Sequence, residues 1–356
     1  MDFPIGVPQH PSDVEHLSYF HGLPVLDFPQ DPSARDLPAD PSSVAWRMRG
    51  GMGSDDESPD AYWDRFTRTV PPEEVRALVF GVPWYGMDGW GAADELAEAS
   101  SRLVNLEAVF LGDVEMEESE LSWLEQSDLE PVLRAYPRLR ELGVRGSKDL
   151  EFPVLRHEGL RTLRFETGGL PARVTRNVAA SDLPSLECLE LWLGDENYGC
   201  DTTLEDLRPL LTGERLPSLR HLGLQNSRFQ DEIAAAVAHA PVAARLASLR
   251  LSMGTLGDEG AAALLDGQPL THLRFLDLHH HYLSDAMVLR LREALEPAGV
   301  RVDLTEREEA EHYGGEEHRY VAAVVLLREA TVPNGPASPE RDDRRTAGRA
   351  PDGGAP

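Results

Sequence analysis

Asp277, His279, His280 and His281 form the densest run of chemistry-bearing side chains in the sequence. Imidazole beside carboxylate suits a divalent transition metal or a proton relay. On a strand, Asp277 and His279 project to one side and His281 falls at the turn. Three successive histidines cannot all reach one ion from a strand, and neither H-E-x-x-H nor a paired C-x-x-C accompanies them. Asp277, His279 and His281 are therefore weak metal candidates, set against a polar turn. The two cysteines, Cys188 and Cys200, could serve as nucleophiles, and Asp201 adjoins the second. No G-x-S-x-G, phosphate-binding G-x-x-x-x-G-K-[ST] or strand-to-helix G-x-G-x-x-G occurs, so no catalytic residue and no cofactor are expected.

The elements that must position these residues show in a repeat. The pattern L-x-x-L-x-L recurs from Leu106, Leu139, Leu160, Leu186, Leu219, Leu246 and Leu273, at spacings of 33, 21, 26, 33, 27 and 27 residues. A weaker leading copy is Val75/Leu78/Phe80 and a closing one is Val300/Val302/Leu304. Each L-x-L core reads as a short strand, because alternate side chains must share one face. Between the strands, segments 117–135, 202–211, 231–240, 257–265 and 284–295 have helical spacing. Thr202 with Glu205 has the form of a capping box, and Asp258 reads as an N-cap. Strand plus helix per repeat predicts an α/β solenoid of parallel strands.

These residues resemble the leucine-rich repeat proteins, within them the ribonuclease-inhibitor-like class. LASLRLSMGTLGDEGAAALL (246–265) and LTHLRFLDLHHHYLSDAMVLRLREAL (270–295) carry the likeness, which extends over residues 75–305. The resemblance implies a horseshoe with a parallel concave sheet and convex helices. The ninth repeat position departs from the class, which uses Asn or Cys to bond the turn backbone. Here it reads Val114, Ser147, Gly168, Gly194, Ser227, Gly254 and His281. FHGLPVLDFP (20–29), VAWRMR (44–49), YWDRFTRTVPPEEVRALVFG (62–81) and GGEEHRYVA (314–322) further resemble a group of bacterial cytoplasmic leucine-rich repeat proteins of unassigned biochemistry. That likeness implies gene neighbours encoding radical-SAM-like enzymes and a hydrolase. Cys200 beside Asp201 is similar to the Cys-x-Asp sites of some leucine-rich repeat ubiquitin ligases, but lacks their spacing and a separate catalytic domain.

A solenoid must cap both ends. Residues 1–74 read as the N-terminal cap, with an acidic loop at 50–60 and a helix carrying Tyr62, Trp63, Phe66 and Val70 on one stripe. Residues 306–330 read as the C-terminal cap and 331–356, poor in side chains to bury, as a disordered tail. Such solenoids bind along the concave face, where odd positions of successive strands align. The expected partner-binding residues are Phe110, Arg145, Arg164, Glu190, Trp192, His221, Gln225, Arg250, Phe275, Asp277 and His279, several of them types enriched at interfaces.

The 356 residues hold 62 acidic and 34 basic side chains, a formal charge of −28. That field repels nucleic acid and anionic membranes. The run 113–130 holds eight acids and no base, read as a solvated helix face or, more sharply, a docking patch for a basic partner. Two cysteines argue against a disulfide-stapled secreted protein, and no leader or spanning segment is seen. Together these predict a cytoplasmic, monomeric, non-catalytic scaffold for a protein or peptide. The alternative is a subunit or substrate-presenting partner of a modifying enzyme.

Overall fold

A computed structural model describes residues 14–31, 33–34, 37–50, 57–82, 92–115 and 118–322. The core of the expected acidic loop, the end of the C-terminal cap and the tail at 331–356 lie outside them. In chain order the elements are β1 (Tyr19–Phe20), β2 (Leu23–Asp27), β3 (Ala45–Met48), α1 (Pro59–Thr69), β4 (Ala77–Phe80), α2 (Ala92–Glu98), β5 (Ala108–Leu111), α3 (Glu130–Ala135), β6 (Glu141–Arg145) and β7 (Thr162–Glu166). There follow α4 (Ala172–Ala180), β8 (Cys188–Gly194), α5 (Leu204–Thr212), β9 (His221–Ser227), α6 (Gln230–Val237), β10 (Ser248–Arg250), α7 (Asp258–Asp266), β11 (Phe275–Asp277), α8 (Asp285–Leu295), β12 (Arg301–Asp303) and the hairpin β13–β14 (Glu311–Tyr313, Glu316–His318).

Strands β1 to β12 form one sheet in which spatial order follows chain order. All neighbours from β2 onward are parallel, and only β1 runs antiparallel to β2. The repeat supplies the register: Leu142, Leu163, Leu189, Leu222, Leu249, Leu276 and Val302 stack in one row. A one-residue slip would turn that row onto the wrong face. Fourth and sixth positions bury against the helices in one continuous apolar core. Third, fifth and seventh positions point to the other face. The arrangement is α/β and solenoid-like, with no helix among the described residues long and apolar enough to cross a membrane.

Several boundaries move. The sheet begins at β1, so residues 19–48, read as part of the N-terminal cap, also carry its first three strands. Helix α1 does carry the predicted stripe, with Tyr62, Trp63 and Phe66 buried and Ser58 accepting the Ala61 N–H. The capping box lies one residue later than expected, at Thr203 and Asp206. Thr202 is instead buried, its hydroxyl 3.0 Å from that of Thr175. Asp258 is inside α7, and its carboxylate accepts the Ser284 N–H of the next repeat at 2.8 Å.

The helix expected over 117–135 is the largest miss. Only a 3-10 turn at Leu121–Trp123 and the short α3 form there. The acids of this stretch are not one solvated face. Asp113 is fully buried, Glu118 pairs with Arg49 at 2.6 Å, Glu125 with Lys148 and Glu130 with Arg134. Arg134 lies one helical turn on, within reach of local reasoning, but Arg49 and Lys148 come from other repeats, which local sequence cannot reveal.

Candidate functional site

On the face away from the helices, several fifth and seventh positions carry charged side chains, among them Arg145, Arg164, Glu166, Glu190, Arg250 and Asp277, and these pair across the sheet. Arg47 of β3 sits 2.5 Å from Asp27 and 3.0 Å from Asp113. Arg145 of β6 reaches Glu166 of β7 at 2.9 Å and lies 3.8 Å from Asp113. Arg164 stands between Glu166 at 3.3 Å and Glu190 at 3.1 Å. Arg250 stands between Glu190 at 3.6 Å and Asp277 at 3.9 Å. Asp277 closes the series on His279, oxygen to Nδ1, at 2.7 Å. Alternating charges thus run from β2 to the end of β11.

Nearly all of this series is buried, which makes the alternation necessary: a lone charge there would meet a desolvation penalty of several kcal/mol. Burial alone would depress Arg164, yet Glu190 and Glu166 outweigh it and hold the guanidinium above its ordinary pKa. Burial works against the Asp113 and Asp277 carboxylates, but His16, Arg145 and the Leu17 N–H around the first, and His279 beside the second, bring both below the usual range. His279 in turn is raised, Asp277 overcoming burial. His16, with the Asp113 carboxylate 3.4 Å away and Glu118 at 3.2 Å, is raised as well.

These shifts have definite signs. The raised histidines contribute fully below about pH 6.5 and lose that contribution as pH climbs through their folded pKa; the lowered aspartates contribute above about pH 3.8 and lose it as pH falls through theirs. His16→Gln should therefore reduce the urea midpoint at pH 5.5 and far less at pH 9. Equal losses at both values would remove the ionic account of this contact.

All eleven residues singled out from sequence lie on this face, but the expectation that they line an open groove is corrected. Phe110, Arg145, Arg164, Glu190, Trp192, Gln225, Arg250, Phe275, Asp277 and His279 are buried, and only His221 is partly exposed. Phe110 and Trp192 are covered by segments from near the two ends of the described chain. Leu17 and Phe20 pack on Ala45, Ala77, Val79, Ala108 and Phe110. Val14 and Ala322 join Leu121, Trp192 and Met253. Gly143 leaves room for Phe110 to lie across β6, since a Cβ there would meet its ring at 2.3 Å. What stays accessible on β7, β9 and β10 is the third position: Thr162, His221 and Ser248 are half-buried, with His221 Nδ1 2.7 Å from the Ser248 hydroxyl.

Sequence reasoning missed Arg47, Asp113, His16 and His21. Arg47 belongs to a strand ahead of the recognised repeats, and the histidines to a segment with no periodic signal. Glu141 and Glu166 stand at odd positions of recognised repeats, so the sequence places them on this face, but they are not among the expected partner residues.

His281 is spoken for. Its Nδ1 accepts the Leu283 N–H at 3.1 Å and its Nε2 lies 3.2 Å from the Leu304 carbonyl, so it ties the turn that lacks an asparagine. Other turns use other side chains: Asn226 at 3.1 Å from the Thr167 carbonyl, Gln126 at 2.6 Å from that of Arg145. Among the described residues no three His, Cys, Asp or Glu side chains gather as a metal site. Burial pushes the Cys188 thiol far up and that of Cys200 to about 11, away from the thiolate that nucleophilic attack needs.

No protein-family model matches the chain, and no curated protein matches it. Among solved structures it is similar to a Bacteroides fragilis protein whose crystal structure was determined by the Northeast Structural Genomics Consortium. The two are 30% identical over 79% of this chain and 78% of the other, with a TM-score of 0.70.

Proposed function

Since this chain belongs to one family with that Bacteroides fragilis protein, we propose that the shared scaffold is a ribonuclease-inhibitor-like leucine-rich repeat horseshoe, serving as a non-catalytic platform for an extended polypeptide. The observation that carries this reading is how the face away from the helices treats the chain's own residues 14–21. It holds them by side chains reaching their main chain: Arg145 donates to the Glu15 carbonyl at 3.2 Å, Arg47 to that of Leu17 at 3.3 Å, and Asp113 accepts the Leu17 N–H at 3.0 Å. Backbone reading of this kind serves any extended polypeptide, with pockets for side chains adding selectivity. Toward β10 the half-buried Thr162, His221 and Ser248 continue the accessible part of this face as the ground for a protein or peptide partner.

The half-buried third positions give a test that leaves the buried charges intact. A benzophenone side chain at Ser248 should cross-link a protein captured from host lysate. The same probe at Arg208, on the exposed side of α5, should not. Adducts confined to Arg208 would move the binding surface to the helices and end this reading.

A further inference from the structure

The segment at the front of the sheet has the marks of a ligand held in cis. Its buried side chains fall three apart, Val14, Leu17 and Phe20, while Ser18 and Tyr19 between them face solvent. Phe20 meets Phe110 edge to face, centroids 5.9 Å apart. His21 follows directly, 2.9 Å from Glu141 and 3.7 Å from Glu107. His16 faces Asp113, Glu115 and Glu118, with Arg47 as the cation nearby. The segment turns into β2 through His21 and Gly22, both at positive φ (52° and 72°), the tight two-residue connection of a hairpin. Beyond that hairpin, these polar contacts go to side chains of the sheet, not to a strand ladder.

We propose that residues 14–21 occupy in cis the site of the partner, and that this partner is an extended peptide with three apolar anchors spaced three apart and an imidazole side chain immediately after the last. This inference rests on the platform reading above and adds the partner's chemistry to it. The pattern follows from what the site offers: an apolar floor at Ala45, Ala77, Ala108 and Phe110, carboxylates at Glu107 and Glu141 where the imidazole falls, and Arg47, Asp113 and Arg145 to grip the main chain. Binding then requires the cis segment to leave, and affinity is reduced by the fraction of molecules in which it is seated.

The test uses the full chain carrying Leu17→Glu and Phe20→Ser, which unseat the segment and alter no residue of β2 to β12, and a labelled peptide of residues 14–22, VEHLSYFHG. By fluorescence anisotropy the variant should bind this peptide at least tenfold more tightly than the unaltered chain, and a peptide with Leu17→Glu should not compete. Equal binding by the two folded proteins overturns the inference. Selection of displayed random peptides on the same variant separates the two readings: recovered peptides lacking the three-anchor pattern retain the platform and reject the cis-ligand assignment, and no recovered peptide rejects both. Should the variant fail to fold, hydrogen exchange on the unaltered chain decides. The Leu17 amide should exchange at least a hundredfold faster than those of β7 to β9, and equal protection would make the segment an integral part of the sheet.

Discussion

Arg164→Ala is expected to lower the free energy of unfolding by about 3–5 kcal/mol, the range for removing one partner of a buried ion pair. The side chain is 2% exposed and sits between Glu166 and Glu190, themselves buried. Alanine removes the cation between the two carboxylates and leaves Glu166 with Arg145 alone and Glu190 with Arg250 at 3.6 Å. Arg161, next to the same strand, is the control. Its pair with Glu187 at 2.9 Å is about half exposed on both sides, so Arg161→Ala should cost no more than about 1 kcal/mol. Urea unfolding of the two variants checks both values. Comparable losses would mean that the buried series adds no more than a surface pair.

Gly194→Ala is the second large effect. Gly194 ends β8 at φ +80°, where L side chains are strained, and pairs with Gly169 in an isolated bridge. A Cβ there would lie 1.9 Å from the Gly168 carbonyl oxygen and 2.5 Å from the Gly169 nitrogen. Both atoms belong to one peptide unit, and backbone cannot yield as a flexible side chain would. Gly199 isolates the dihedral term: its φ is +95°, but nothing lies within 4 Å of where a methyl group would sit. Gly199→Ala should cost about 1–2 kcal/mol, and Gly194→Ala should exceed it by at least about 1–3 kcal/mol as neighbouring backbone is forced into strain. Equal urea midpoints for the two variants would show that the loop around Gly168 shifts freely.

The difference between these two glycines is invisible in sequence, and it marks where local reasoning stops. The Leu142-to-Val302 row was legible because it recurs at fixed positions, and periodicity reports which face a side chain takes. The same alternation correctly put Arg164, Glu190, Trp192 and Arg250 on one face. It could not report that the face is covered, because the cover comes from Leu17, Phe20 and Ala322, residues outside the repeat with no period of their own. Nor could it show that Asp113 is paired, since Arg47 and Arg145 approach from two other strands. The acidic run misled for that reason: a carboxylate's environment is set by its neighbours in space, and in a stacked array those are a repeat away.

The meeting of Val14 and Ala322 on Trp192 and Met253 bears on how such a chain comes apart. Stacked repeats contact only their neighbours, so an open array frays from its outermost units, and its stability is close to a sum of local terms. Here the two extremities of the described chain are fastened to its middle, and loosening either one strips cover from Trp192 of β8 and from Met253 after β10. Fraying at one end is thereby coupled to the centre, which turns a linear array with graded melting into a body that unfolds as a unit.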